Sequence, residues 1–185
     1  MVSIEDYNKA VEYLALHKKN FDIQNEGDDY AKVIFSNIFR NANKTIRIAA
    51  NTLRNTVVDS KEYQDALDVF LAKEGTCLQI IITKLPENVN EKVSTNIYRR
   101  LMQNPAYRAG RIHIKNADHQ MFKIGDTPAN FCVADGIMYR IENDIVKRTA
   151  LCNFGNPQKA LKYEEIFDKG FSSIEKEVDL AQLFA

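Results

Sequence analysis

The sequence has no apolar run long enough to cross a bilayer: its longest pure stretch, Ile80-Ile81-Ile82, stops at Thr83 and Lys84. A membrane helix needs roughly 20 such residues, so no membrane partner is expected. Glu5, Asp6 and Glu12 near the start argue against a secretory signal, which places the chain in the cytoplasm. Cysteine is scarce. Cys77, Cys132 and Cys152 cannot all pair, no Cys-x-x-Cys occurs, and His17, His113 and His119 are scattered, so neither a disulfide framework nor a zinc site is expected. Each thiol lies in a segment patterned as a buried strand, where a structural role is the default. Charge of one sign is also missing, since 25 Lys and Arg balance 25 Asp and Glu. A dedicated nucleic-acid binder draws its affinity from a basic excess, so that class is disfavoured, although a local basic face stays open. No Gly-rich phosphate loop, Gly-x-Ser-x-Gly elbow or metal-binding carboxylate series is found, and no cofactor or metal is expected.

What is present is the balance of a folded protein: 45% hydrophobic and 27% charged residues over 185 positions, enough for one domain with its own core. Ser3 can cap a helix carrying Tyr7, Val11 and Leu14. A polar break from Gln24 to Asp29 separates it from a second amphipathic helix with Tyr30, Val33, Ile34, Ile38 and Phe39 on one face. Residues 45–50 read as a strand. Asp59-Ser60 opens a third helix with Tyr63, Leu67, Phe70 and Leu71 inward, and Gly75 is placed to end it. Cys77 to Thr83 is a continuous apolar strand of the kind buried on both faces. After a turn at Pro86, Val93, Ile97 and Leu101 mark a fourth helix, followed by a strand at 111–115.

The last third changes character. Phe131 to Ala134, then Asp135-Gly136, then Ile137 to Ile141 is a hairpin pattern, because Asp-Gly readily takes the positive φ angles of a tight turn. A strand near 147–154 and a long helix from Pro157 follow, the helix with Tyr163, Phe167, Phe171, Ile174 and Val178 for its buried side. This order predicts an α/β fold: a mixed, mostly parallel sheet flanked by helices on both faces. Residues 1–25 are expected to form a helical extension packed outside a domain spanning 26–185.

The hairpin carries a family pattern. Pro128-Ala129-Asn130-Phe131-Cys132-Val133-Ala134-Asp135-Gly136 resembles the His-x-Lys-x-x-x-x-Asp-Gly motif of the phospholipase D-like enzymes, with Pro128 at the histidine and Asn130 at the lysine. Downstream, Ala150-Leu151-Cys152-Asn153-Phe154 is similar to the family's Gly-Ser-x-Asn-Phe, keeping Asn153. The resemblance, over roughly residues 30 to 175, implies the phospholipase D-like fold in a single domain. In that family the histidine attacks phosphorus, lysine and asparagine hold phosphate oxygens, and the aspartate orients a histidine. Two motifs meet at one site, so single-motif members work as homodimers.

Pro128 has no attacking atom, and Asn130 supplies no positive charge, so the family's mechanism is expected to be absent. Asp135 then reads first as a turn residue and second as an orienting acid. Asn153 reads as a strand-end hydrogen bonder before a phosphate ligand. A competing pattern is His113-Ile114-Lys115, whose alternation puts both functional side chains on one face, with Asp118 near. It reads as the polar face of an edge strand or, alternatively, as the catalytic core of a divergent phosphodiesterase or nuclease. His17 and His119 read as surface residues. Arg99, Arg100, Arg108 and Arg111 form the local basic cluster, either as solvated helix ends or as a patch for nucleic acid or another anion. The three resulting functions are a catalytically inactive binding and assembly module, the expected partners being a second copy or another protein; a divergent phosphodiesterase or nuclease; and a binder of nucleic acid or another anion.

Overall fold

Alternation of apolar and polar residues sorts the strands of this chain into one sheet with two buried faces. The computed structural model describes residues 3–53, 56–86, 96–117, 119, 122–124, 127–144 and 147–184. In chain order they form α1 (Ile4–Leu16), β1 (Ile23–Glu26), α2 (Asp28–Asn41), β2 (Thr45–Ala50), α3 (Lys61–Leu71), β3 (Cys77–Ile82), α4 (Asn96–Gln103) and α5 (Pro105–Arg108). There follow β4 (Ile112–Asn116), a small ribbon of β5 (Lys123–Ile124) and β6 (Thr127–Pro128), β7 (Phe131–Ala134), β8 (Met138–Asp144), β9 (Thr149–Asn153), α6 (Pro157–Ser173) and α7 (Leu180–Leu183).

The main sheet has the order β1-β9-β8-β7-β2-β3-β4. It is mixed, as expected, and open. Five of the seven strands point the same way, but only β2–β3 and β3–β4 are parallel neighbours; the other four adjacencies are antiparallel. Parallel pairing follows the helical crossovers of the first half, and antiparallel pairing follows the hairpins of the second.

One face buries Ile46, Ile48, Leu78, Ile80, Ile112, Ile114, Cys132 and Cys152 against α1, α2, α3 and α4. The other buries Ile81, Phe131, Val133, Tyr139 and Ile141 beneath α6, which contributes Ala160 and Phe167. Arg47 on β2 fastens α6 to the sheet, through two hydrogen bonds to Asp168 (2.7 and 3.2 Å) and one to Glu164 (2.6 Å).

Local chemistry accounts for the element ends. Ser3 and Ser60 accept backbone hydrogen bonds as N-caps of α1 and α3. Helix α3 ends at Leu71, before Gly75, which takes φ +72° in the following turn. The guanidinium of Arg111 caps that end by donating to the carbonyls of Leu71, Lys73 and Thr76.

Three features differ from the sequence reading. The polar segment after α1 contains the edge strand β1, paired with β9, so the expected division at 25/26 falls inside a strand. Val11 and Ala15 of α1 belong to the main core. The last helix stops at Ser173, and Ile174 and Val178 lie beyond it. There the chain crosses the free edge of β4, with Glu177 bridged to Lys115 and Val178 N–H donating to the Ile114 carbonyl (2.7 Å). The charged run Glu175-Lys176-Glu177 has no apolar partner to continue a helix against, and the β4 edge offers hydrogen bonds instead. Val93, expected in the fourth helix, lies outside the described residues.

The β7–β8 turn is the pattern that the sequence announced. Asp135 and Gly136 take φ +54° and +63°, and Ile137 N–H closes the turn on the Ala134 carbonyl (3.1 Å). The Asp135 carboxylate does more than tolerate the turn: it accepts from the N–H groups of Asn43 (2.7 Å), Lys44 (2.9 Å) and Thr45 (2.9 Å). It thereby ties the hairpin to the start of β2.

Removing a carboxylate that holds backbone donors costs about 1.5–3 kcal/mol. Asp135→Ala should therefore lower stability by about that amount in urea unfolding, and Asp135→Asn, which keeps one acceptor and tolerates positive φ, by less. Burial pushes the Cys132 and Cys152 thiols up to about 12 and raises that of half-buried Cys77. Native protein treated with a thiol reagent at neutral pH should leave Cys132 and Cys152 unmodified, Cys77 reacting slowly, and all three reacting in denaturant.

Candidate functional site

A pocket of about 80 Å³ opens at the carboxyl end of β2, on the face covered by α2. Its walls come from the start of α2 (Gly27, Asp28, Ala31), the residues after β2 (Thr52, Leu53, Val57, Val58) and Tyr63 of α3. Asn130, just before β7, Phe131 at its start, and Arg140 and Glu142 of β8 complete it, with Arg148 at the rim. Ligands of open α/β sheets bind in crevices at this end of the strands.

Arg140 is its most unusual group. It is 5% exposed, its Nε has no hydrogen-bond partner, and its guanidinium lies 4.9 Å above the Phe35 ring. Burial pulls its pKa down from the ordinary value, and Glu142 is the foremost charge acting the other way; arginine nonetheless stays cationic. Glu142 is half-exposed and accepts from Asn130 Nδ2 (2.7 Å). At the rim, Arg148 pairs with Asp28 (2.7 Å), and Thr56 donates to the same carboxylate. Sequence reasoning passed over Arg140 and Glu142 because alternate charged residues on a strand read as a solvated face. The signal available was that Arg140 sits between Tyr139 and Ile141 in an otherwise apolar hairpin.

The residues singled out in the sequence do not gather here. Of those among the described residues, Asn130 is the one that lines the pocket, its Oδ1 accepting from Asn51 N–H (3.1 Å). Pro128 lies in β6, its backbone paired with Lys123. Asp135 and Gly136 sit at the opposite end of β7, in the turn. Asn153 is on the other face, donating to Asn20 (2.9 Å) and Asp22 (2.7 Å) and accepting from Gly155 N–H (2.8 Å). Asp22 in turn accepts from Tyr139 (3.1 Å) and Lys159 (3.1 Å), and these contacts, Asn153 foremost, hold its carboxyl below the usual range.

His113 and Lys115 also lie on the α6 side, on edge strand β4. His113 Nδ1 is 2.8 Å from Glu177. Lys115 Nζ donates to the Phe171 (2.9 Å) and Ile174 (2.8 Å) carbonyls and rests 4.4 Å over the Phe171 ring, so it caps the end of α6. Asp118 lies outside the described residues. His17 and His119 are exposed.

The arginines are dispersed as well. Arg100 is held by Asp65, Asp68 and Gln64, Arg99 stacks on Phe184 (4.3 Å), Arg111 caps α3, and Arg108 is exposed. Among the described residues, no group of three or more His, Cys, Asp and Glu side chains gathers to hold a metal, and no helix is long and apolar enough to cross a membrane.

No protein-family model matches the sequence. No curated protein matches it either. Solved structures do resemble it. Nuc, a phospholipase D family member from Salmonella typhimurium, superposes with a TM-score of 0.59 at 12% identity, over 86% of this chain and 99% of that one. Phosphatidylserine synthase from Haemophilus influenzae superposes with a TM-score of 0.59 at 13% identity, over 89% of this chain and 41% of that one. TrmBL2, an archaeal chromatin protein with a described mode of DNA binding, gives a TM-score of 0.56 at 13% identity, over 93% of this chain and 62% of its own. Identities this low speak to architecture alone: this chain has the phospholipase D-like fold.

Proposed function

We propose that this domain does not hydrolyse phosphodiesters and acts in the cytoplasm as a binding and assembly module, as a homodimer. One observation carries the reading: among the described residues, no two of the motif positions share a cavity, and the pocket that Asn130 lines contains neither histidine nor lysine. Phosphodiester cleavage through a covalent intermediate needs a nucleophile beside a cation that takes up charge on the phosphoryl oxygens. Asn130 is instead tied to Glu142 and Asn51, and Asp135 spends its oxygens on three backbone donors. The Arg140 cation remains, without an attacking group.

The alternative nuclease reading asks His113 and Lys115 to cooperate. Both are already engaged, His113 with Glu177 and Lys115 with two carbonyls at the end of α6. Freeing Lys115 would uncover that helix end. The arginine cluster, as an anion patch, would have to release Arg100 from two carboxylates. The homodimer is carried over by analogy with single-motif proteins of this fold, since fold alone does not specify assembly.

Incubation with bis(p-nitrophenyl) phosphate and with single-stranded DNA should give no turnover above buffer. Hydrolysis that disappears in His113→Ala would replace this reading with the nuclease one. Light scattering of the purified 21.2 kDa chain should return twice that mass, and a monomer at micromolar concentration would remove the assembly half of the proposal.

A further inference from the structure

The pocket at the start of α2 holds two opposite charges that do not meet. Arg140 and Glu142 are two residues apart on β8 and line the same cavity, yet no ion pair or hydrogen bond joins them. Glu142 holds Asn130 instead, and Arg140 Nε is buried without any partner. An unpaired cation in a protein interior is costly, and such groups persist where something pairs with them. Among the described residues, no side chain hydrogen-bonds Arg140 Nε, and the Phe35 ring is the contact its guanidinium has.

Three further features narrow what would. The N-cap of α2 is Gly27, with no side-chain cap, and Gly27 and Asp28 line the pocket, while Asp28 and Asp29 already supply negative charge to that first turn. The rim pair Arg148–Asp28 cancels its own charge, which leaves one buried cation and one half-exposed carboxylate as the poles of the site. A water needs about 10–15 Å³ of such space, so a cavity of about 80 Å³ suits a ligand of only a few heavy atoms. A dianionic phosphate would place its second charge toward Glu142. A small zwitterion would satisfy both poles at once.

We propose that this pocket binds a small α-amino acid, its carboxylate on the Arg140 guanidinium and its ammonium on Glu142. A guanidinium and a carboxylate form a two-pronged, charge-assisted pair, and the Phe35 ring beneath Arg140 keeps the fork in one orientation. Leu53, Val57 and Tyr63 supply the apolar wall, and the cavity limits the side chain to a small one. The site goes beyond the catalytic silence proposed above and does not depend on it: amino-acid binding and phosphodiester turnover are read by separate assays.

The test is thermal unfolding and titration calorimetry of the full chain with glycine, L-alanine and L-serine, against acetate, methylammonium and inorganic phosphate. The amino acids should raise Tm saturably and the single-charge controls should not. Glu142→Gln, at a half-exposed position that leaves the core intact, should weaken amino-acid binding at least tenfold. Arg140→Met should abolish binding while raising the Tm of the unliganded protein, because it removes the unpaired charge; an Arg140 that is only structural would lower Tm instead. Stabilisation by phosphate or acetate equal to that by the amino acids, insensitivity to Glu142→Gln, or no binding by any of the six compounds would each overturn the proposal.

Discussion

Everything in this molecule follows from a sheet that is covered on both faces. In a strand, successive side chains point to opposite sides, so each residue of β2, β3, β4, β7, β8 and β9 is assigned to one of two cores by its position alone. On one side α1 to α4 close over Ile48, Ile80 and Ile114; on the other α6 closes over Phe131, Val133 and Tyr139. Polar residues on these strands must then find partners inside the cores or at the sheet's ends. Arg47 finds Asp168 and Glu164 on α6, Asn153 finds Asp22 and Asn20, and Lys115 finds the last carbonyls of α6. Among the described residues of these strands, Arg140 is the exception: its Nε finds no hydrogen-bond partner, and a cavity opens in front of it.

This partition also explains why residues that are near in sequence do not form a site. Asn130 faces the α2 side, while Asn153, His113 and Lys115 face α6, and the thickness of the sheet lies between them. Asp135 and Asn130 flank opposite ends of β7, and three backbone N–H groups converge on Asp135. Each of these polar groups is engaged in a contact that holds two elements together. The pocket on the α2 side holds a buried guanidinium, a carboxylate and an apolar wall.

Much of the fold was readable from the sequence because the signals were local. Apolar runs marked β2 and β3, Ser3 and Ser60 marked helix starts, and Asp135-Gly136 marked the hairpin, since a turn with two positive φ angles admits few other pairs. The order of elements was enough to anticipate a mixed sheet with helices on both sides, and the motif around the hairpin pointed to the architecture. What failed to show was whatever depended on a distant partner. Strand β1 is polar and only four residues long, and it exists because β9 presents an unpaired edge. The last helix ends at Ser173 because the β4 edge captures the residues after it. The pocket was hidden for the same reason: Arg140 and Glu142 look like solvent-facing charges on a strand until Phe35, Leu53 and Tyr63, drawn from three other parts of the chain, close around them. Short-range stereochemistry is written residue by residue, whereas the burial of a charge is decided only when segments far apart in the chain pack together.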